Sequence, residues 1–415
     1  MLDTLSAALD GAIVSSATDA FALHGVKPGA VVEPRNADDA AAVMRLATEN
    51  NWRVECAGSG TQAVGNRRTR ADIVISTRKL TSVFEYDAAD LVIGAQAGIT
   101  LHQLQRTTSR NSQFLALDPP AHKHSTIGGM IAVGRAGPMR FAYGTPRDHV
   151  LGLQLVTGDG RILNLGGRVV KNVAGYDLVR LVVGSAGTLG LITTAYLRLR
   201  PLPAVDESIL IEAPEMTPLL EIVSGIVEEN LEAVACELAS PGMLAGGWSL
   251  LVRLCGNAES LADARKRLQA RSSVLQIQMR KAGNSEWQKL EHSELDAFTI
   301  VRFADVRTRL AETLQVAQRA VERADRNATI IAHAGDGIVR VILHDTDAET
   351  TAHAIGEARA GLTATGGTVI VHSRSGDLMR RSDAYGATGP TLQFMTRLKQ
   401  IFDPASILAP GRFVI

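Results

Sequence analysis

Residues 118–144 read DPPAHKHSTIGGMIAVGRAGPMRFAYG. Five glycines and three prolines crowd into this stretch, interleaved with Ile127, Met130, Ile131, Val133, Met139, Phe141 and Tyr143. Loops of this length without regular structure are uncommon in compact domains, where they are functional or disordered. The interleaved apolar side chains argue for order. The expectation is an ordered loop, with little helix or strand of its own, whose glycines let backbone approach a large, flat, anionic ligand.

Two more glycine-rich runs flank it. Upstream, AGSGTQAVGN (57–66) lies between a strand at 52–57 and another at 72–76. A dinucleotide-binding loop of the Rossmann type reads GxGxxG and opens straight into a helix. Here Gly58, Gly60 and Gly65 have the wrong spacing, and Asn66-Arg-Arg-Thr-Arg70 follows where a helix should start. A loop between two strands can still bind phosphate, because successive backbone N–H groups form an anion nest. It can equally be a tight connection whose glycines only take positive φ. Downstream, residues 175–190 form the third run and feed a strand at 191–199, closed by Arg200-Pro-Leu-Pro203.

Between and around these runs the pattern is regular. A strand at 31–34 leads to a helix capped by Asn36, with Asp38 and Asp39 in its first turn, where the helix dipole favours negative charge. Thr100 caps a helix at 101–108, and alternating Leu151, Leu153 and Leu155 before Gly158-Asp-Gly160 predict a hairpin over 150–165. Beyond Pro203 the glycines disperse. Strands are expected at 208–212, 233–238, 248–254, 298–303, 328–333, 338–343 and 367–372, and helices at 217–230, 258–272, 306–324 and 348–361. An antiparallel sheet with helices on one face is the α+β solution. A helix over 391–402 precedes the tail.

Composition removes several classes. A chain of 415 residues exceeds one ordinary core, so two domains are expected. Formal net charge is zero and no basic run exceeds three residues, which argues against nucleic acid. Cys56, Cys236 and Cys255 are scattered without CxxC or CxxH spacing, so neither a zinc site nor a cysteine-ligated iron–sulfur cluster is encoded. No apolar run reaches a spanning length and the N-terminus lacks a basic n-region, which predicts a soluble, cytoplasmic protein. His122 and His124 flank Lys123 without a carboxylate nearby, and read as solvated loop residues, not metal ligands.

Taken in order, the three runs resemble the FAD-binding domain of the vanillyl-alcohol-oxidase type. Ala57-Gly-Ser-Gly-Thr61 with Gly65 and Asn66 resembles its pyrophosphate loop. Pro119, Thr126-Ile-Gly-Gly129, Gly137, Tyr143 and Gly144 resemble the segment that wraps the flavin, and Gly184, Gly187, Gly190 and Ile192 the segment on its other side. Within that family the chain resembles the 2-hydroxy-acid branch, with FDPASILAPGRF matching its closing signature. It looks most like the shorter of the two FAD-binding subunits of bacterial glycolate oxidase. Catalytic members carry HxGDGNLH, EHGIG and GSEGT. Here these read His333-Ala-Gly-Asp-Gly337 followed by Ile338-Val-Arg340, then Val371-His-Ser-Arg-Ser375, and Gly184-Ser-Ala-Gly-Thr188.

The resemblance implies an α+β fold: an FAD domain at 1–204, with a pyrophosphate lobe at 1–85 and a second lobe at 86–204, an antiparallel cap at 205–375, and a segment at 376–415 that returns to the FAD domain. It implies non-covalent FAD, since Thr61 stands where related enzymes place a linking histidine. Cys56 reads as a small buried hydrophobe. His333, Asp336, Arg340, His372 and Arg374 are the substrate-side candidates, with Arg340 to hold a carboxylate and His372 or His333 to take a hydroxyl proton. A remnant site kept for packing is weighed beside that. The implied activity is oxidation of glycolate to glyoxylate, or of another small 2-hydroxy acid, beside a homologous larger FAD subunit and an iron–sulfur subunit, the complex reaching the inner face of the plasma membrane through its partners. A free-standing FAD-dependent D-2-hydroxy-acid dehydrogenase and a non-catalytic assembly or electron-relay subunit are the alternatives.

Overall fold

The computed structural model describes residues 1–9, 14–16, 27–61, 71–168, 176–295, 297–325, 327–344, 347–363, 365–373, 375–386 and 389–412. The chain divides into two compact units, Met1–Ala136, Gly144–Leu202 and Ala387–Ile415 in one, Gly137–Tyr143 and Pro203–Gly386 in the other.

The first unit holds two larger sheets. In one, Ala30–Val32, Ile73–Ser76 and Val54–Ala57 run parallel, with Val14–Ser15 antiparallel on the outer edge. The helix Ala37–Glu49 packs on it through Ala40, Val43, Met44 and Ala47, and the Asn36 side chain accepts from the Asp39 amide as the cap pattern predicts. The second sheet is antiparallel, in the order Val83–Asp87, Val92–Gln96, Leu191–Arg198, Val150–Val156, Ile162–Gly166. Helix Leu101–Thr108 covers it through Leu101 and Leu104, its start fixed by a capping box between Thr100 and Gln103. The C-terminal residues close the first lobe. Ile407 and Leu408 enter its core, and Leu408 bridges Val54 in parallel.

The long loop is more regular than its composition suggests. Ile127–Val133 is a helix capped by Thr126, and Arg140–Tyr143 and Pro146–His149 are single turns. Two adjacent glycines hide the helix from a propensity argument. Tertiary contacts supply what propensity lacks, since Ile127, Met130 and Ile131 are buried in the second-lobe core.

The second unit is built on an eight-stranded antiparallel sheet: Gln278–Ala282, Val205–Ala213, Trp248–Gly256, Ala233–Ala239, Thr329–His333, Ile338–Leu343, Thr299–Ala304, Thr368–Ser373. Period-two alternation splits its side chains cleanly. Ile209 and Ile211 join a large core with helices Met216–Glu228, Ala258–Val274, Leu310–Ala324 and Ala348–Thr363, while Leu210 joins a smaller core on the opposite face. That opposite face is covered by helix Asn284–Leu295, so helices lie on both faces, not one as expected. Among the described residues no helix is long and apolar enough to cross a membrane.

Candidate functional site

The parallel strand Val54–Ala57 delivers the first glycine loop to a cleft in the first unit. Ser59 donates to the His124 carbonyl, and Thr61 Oγ1 lies 3.4 Å from Ser125 Oγ, so the loop is tied to the stretch just before the Thr126 cap. Gly58 packs against Thr126 itself: a Cβ there would fall 2.0 Å from the threonine Oγ1. The third run docks on the last turn of the helix, whose carbonyls need partners. Gly184 N donates to Ile131 O at 3.0 Å and Ala186 N to Ala132 O at 2.7 Å. Three segments separated in sequence thereby surround one solvent-open cleft of about 980 Å³.

Ala57, Gly58, Ser59, Gly60, Thr61, Thr126, Gly128, Gly129, Gly187, Gly190 and Ile192 line the cleft. Pro119, Ile127, Gly144 and Gly184 do not, and Gly137 and Tyr143 belong to the second unit. Gly65, Asn66 and Arg374 lie outside the described residues. Ile127 is fully buried in the core, so it packs no ligand plane. Glu55, Thr77, Arg78 and Arg412 are cleft residues that no glycine pattern points to. Arg412 was hidden by its distance along the chain, although it sits in the closing signature.

The polar chemistry of the cleft is unevenly distributed. The amides of Ile127 and Gly128 donate to Ile99 O and Ala97 O at 2.9 and 2.7 Å, and that of Gly129 to the Thr126 cap at 3.2 Å. These glycines serve close packing, since a Cβ on Gly128 would meet Ala97 Cβ at 2.7 Å. The Ser59, Gly60 and Thr61 amides, by contrast, donate no hydrogen bond among the described residues. Gly60 has φ +77°, and a Cβ on it would meet nothing within 4 Å. Its place is therefore explained by conformation and by open space in front of it, the arrangement an anion nest requires. This fits a diphosphate-bearing cofactor. Cys56 beside it has its thiol pushed up to about 12 by burial and by the Glu55 carboxylate, so it is no thiolate at neutral pH.

In the second unit, Glu237, His333, Arg340 and Glu294 form one buried network. His333 Nδ1 meets Glu237 Oε1, Arg340 Nη2 donates to Glu237 Oε2 at 2.8 Å, and Arg340 Nη1 pairs with Glu294. Register places His372 on the same sheet face but opposite Ile300, which leaves the Arg340 backbone about 12 Å away across two strands. Arg340 is thus held by two protein carboxylates. Asp336 accepts from Arg140 Nε at 2.9 Å. Neither glutamate was singled out in the sequence, because neither belongs to a motif. Among the described residues no group of three or more His, Cys, Asp or Glu is placed to hold a metal.

Comparison with known proteins matches residues 28–166 to the FAD binding domain family and 258–413 to the C-terminal domain of FAD linked oxidases. The chain is 27% identical to glycolate oxidase subunit GlcD of Bacillus subtilis (strain 168), over 95% of this chain and 90% of that one. It is 36% identical to glycolate oxidase subunit GlcE of Escherichia coli (strain K12), over 52% of this chain and 58% of that one. The structure superposes on p-cresol methylhydroxylase with substrate bound at a TM-score of 0.79, covering 99% of this chain and 95% of that one at 16% identity, which speaks to fold alone. The α+β architecture expected from the sequence is the one found.

Proposed function

We propose, for a chain that belongs to the FAD-linked oxidases and is an FAD-dependent oxidoreductase, that it serves as an FAD-binding subunit of a glycolate oxidase complex. In that role it binds FAD without a covalent link and takes part in oxidising glycolate to glyoxylate, a reaction that releases two electrons and two protons. FAD, when bound, supplies the acceptor for the hydride from the carbon bearing the hydroxyl. The chain's own residues would hold the cofactor: the amides of Ser59, Gly60 and Thr61 would donate to its diphosphate, while Gly58 lets the first loop close onto Thr126 and Gly128 lets the helix close onto Ala97.

The observation that carries the subunit role is the buried network of the second unit. Arg340, the side chain best suited to a substrate carboxylate, is neutralised by Glu237 and Glu294, and His333 is engaged by Glu237. That favours substrate chemistry in concert with a larger homologous flavin subunit, electrons leaving to an iron–sulfur subunit. The higher identity to GlcE supports the shorter-subunit assignment, although the match to GlcD extends over nearly the whole chain. The same reading puts the complex in the cytoplasm, at the inner face of the plasma membrane through its partners.

The test is anaerobic flavin reduction. The purified chain loaded with FAD should keep its oxidised spectrum when glycolate or D-lactate is added. With the partner subunits present the flavin should bleach. Rapid bleaching of the chain alone by either acid would overturn the subunit role in favour of a free-standing 2-hydroxy-acid dehydrogenase.

A further inference from the structure

Residues 399–412 are fastened to the first unit at several points. Val54 N donates to Ile407 O and Ala409 N to Val54 O, both at 2.8 Å. Asp403, fully buried, accepts from the amides of Ile407 and Leu408 at 3.1 and 2.8 Å. Lys399 Nζ donates to Thr188 O and Leu408 O at 2.8 Å each and pairs with Asp403 at 2.6 Å. One structural consequence is that the turn Ala409–Arg412, closed by Arg412 N on Ala409 O at 3.1 Å, sets the Arg412 side chain in the cleft wall.

There Arg412 Nη1 lies 2.5 Å from Glu55 Oε1, with the two side chains 11% and 2% exposed. Pulling a guanidinium and a carboxylate together out of water is a weak source of stability, because desolvation offsets the attraction. Such a pair is more intelligible where a further group completes it. Among the described residues, the charged ones lining the cleft are Glu55, Arg78 and Arg412, and Arg78 is exposed. Among the described residues Arg412 is therefore the enclosed cation of the cleft, paired with Glu55 on the strand that leads to Ser59, Gly60 and Thr61. A guanidinium has five donors in a planar fork, enough to keep Glu55 and engage a phosphate oxygen together.

We propose that Arg412 is a cofactor-binding residue that acts on the anionic diphosphate of FAD, with Glu55 as the positioning residue that aims it. The tail is then a wall of the cofactor site. This role rests on FAD being the cofactor.

The test measures dissociation constants of the apoprotein for FAD, ADP and riboflavin, in wild type, Arg412→Gln and Arg412→Lys. Losing one charge-assisted contact should weaken FAD and ADP roughly 10- to 100-fold in Arg412→Gln, leave riboflavin unchanged and flatten the salt dependence of FAD binding. Arg412→Lys should recover part of the loss. Unchanged FAD and ADP affinity, or an equal loss for riboflavin, would reduce Arg412 to a strut of the tail and overturn the proposal. Should the variants not fold, hydrogen exchange on the wild type gives a separate answer. ADP should slow exchange over residues 408–412 and riboflavin should not, and no protection by ADP overturns the proposal. A wild type that takes up no FAD overturns the cofactor assignment itself, and is told apart by appearing before any substitution is made.

Discussion

Replacing Gly58 with alanine puts a Cβ 2.0 Å from Thr126 Oγ1 and 3.0 Å from its Cβ and Cγ2. Rotating the threonine moves Oγ1 and Cγ2 away but breaks its cap on Gly129, a loss of about 1 kcal/mol. Its Cβ cannot rotate away, and the backbone is pinned by Met130 N on Thr126 O and by the bridge to Thr100, so overpacking adds about 1–3 kcal/mol. Gly58→Ala should therefore cost about 3 kcal/mol and Thr126→Ala about 1 kcal/mol. In the double variant only the Cβ contact and the lost cap remain, about 2 kcal/mol in all, which predicts a coupling of about 2 kcal/mol between the sites. Hydrogen exchange over Ile127–Val133 in the apoprotein reads these as opening free energies. Gly60→Ala is the control: it pays only for left-handed backbone, about 1–2 kcal/mol, yet intrudes on the cleft and should weaken FAD binding more than it weakens the fold. Additive effects at positions 58 and 126, or a Gly58→Ala cost below about 1 kcal/mol, would refute the packing argument.

Arg340→Met leaves Glu237 and Glu294 buried without their cation and should lower the stability of the second unit by about 3–5 kcal/mol, read by chemical denaturation. A change under about 1 kcal/mol would show the network to be slack. The Glu286 carboxyl is held at about 2 by the Ser285 hydroxyl, Arg280 and the Gly283 amide. Its folded value lies below the unfolded one near 4.5, so its stabilisation is present above that value and lost as pH falls toward 2. Glu286→Gln should flatten the acid side of the stability profile in that window, and an unaltered profile would contradict the assignment. With the Cys56 thiol near 12, acid precipitation should leave all FAD in the supernatant, and a yellow pellet would reveal a covalent link.

What was legible in the sequence followed from strong local signals. The Asn36 and Thr100 caps and the alternation of Leu151, Leu153 and Leu155 all found the elements they predict. Strand Gln278–Ala282 and helix Asn284–Leu295 were not foreseen. The strand is a polar sheet edge carrying Arg280 and Lys281, and the helix buries only Leu290 and Glu294, so neither shows an apolar period. Strand Val83–Asp87 is another half-exposed edge. In the cleft, glycines marked the right segments but not their tasks. Gly128 and Gly60 look alike in a sequence, yet one fills a contact with Ala97 and the other faces open space. Only tertiary structure separates them.

The histidine–glycine run at 333–337 makes the same point with larger stakes. Each of its groups has a structural employment inside the second unit. His333 meets Glu237, Gly335 lies under the Phe141 ring where a Cβ would come within 2.1 Å, and Asp336 takes Arg140. Gly337, at φ +75°, sits where a Cβ would strike Asp305 O at 2.4 Å. A substrate carboxylate that captured Arg340 would have to displace Glu237 or Glu294 and leave it buried without a cation. At about 3–5 kcal/mol, that displacement weakens binding by roughly two to three and a half orders of magnitude relative to an arginine left open. The surviving pattern has a packing role for each of its groups, and a substrate carboxylate that reclaimed Arg340 would do so against that penalty.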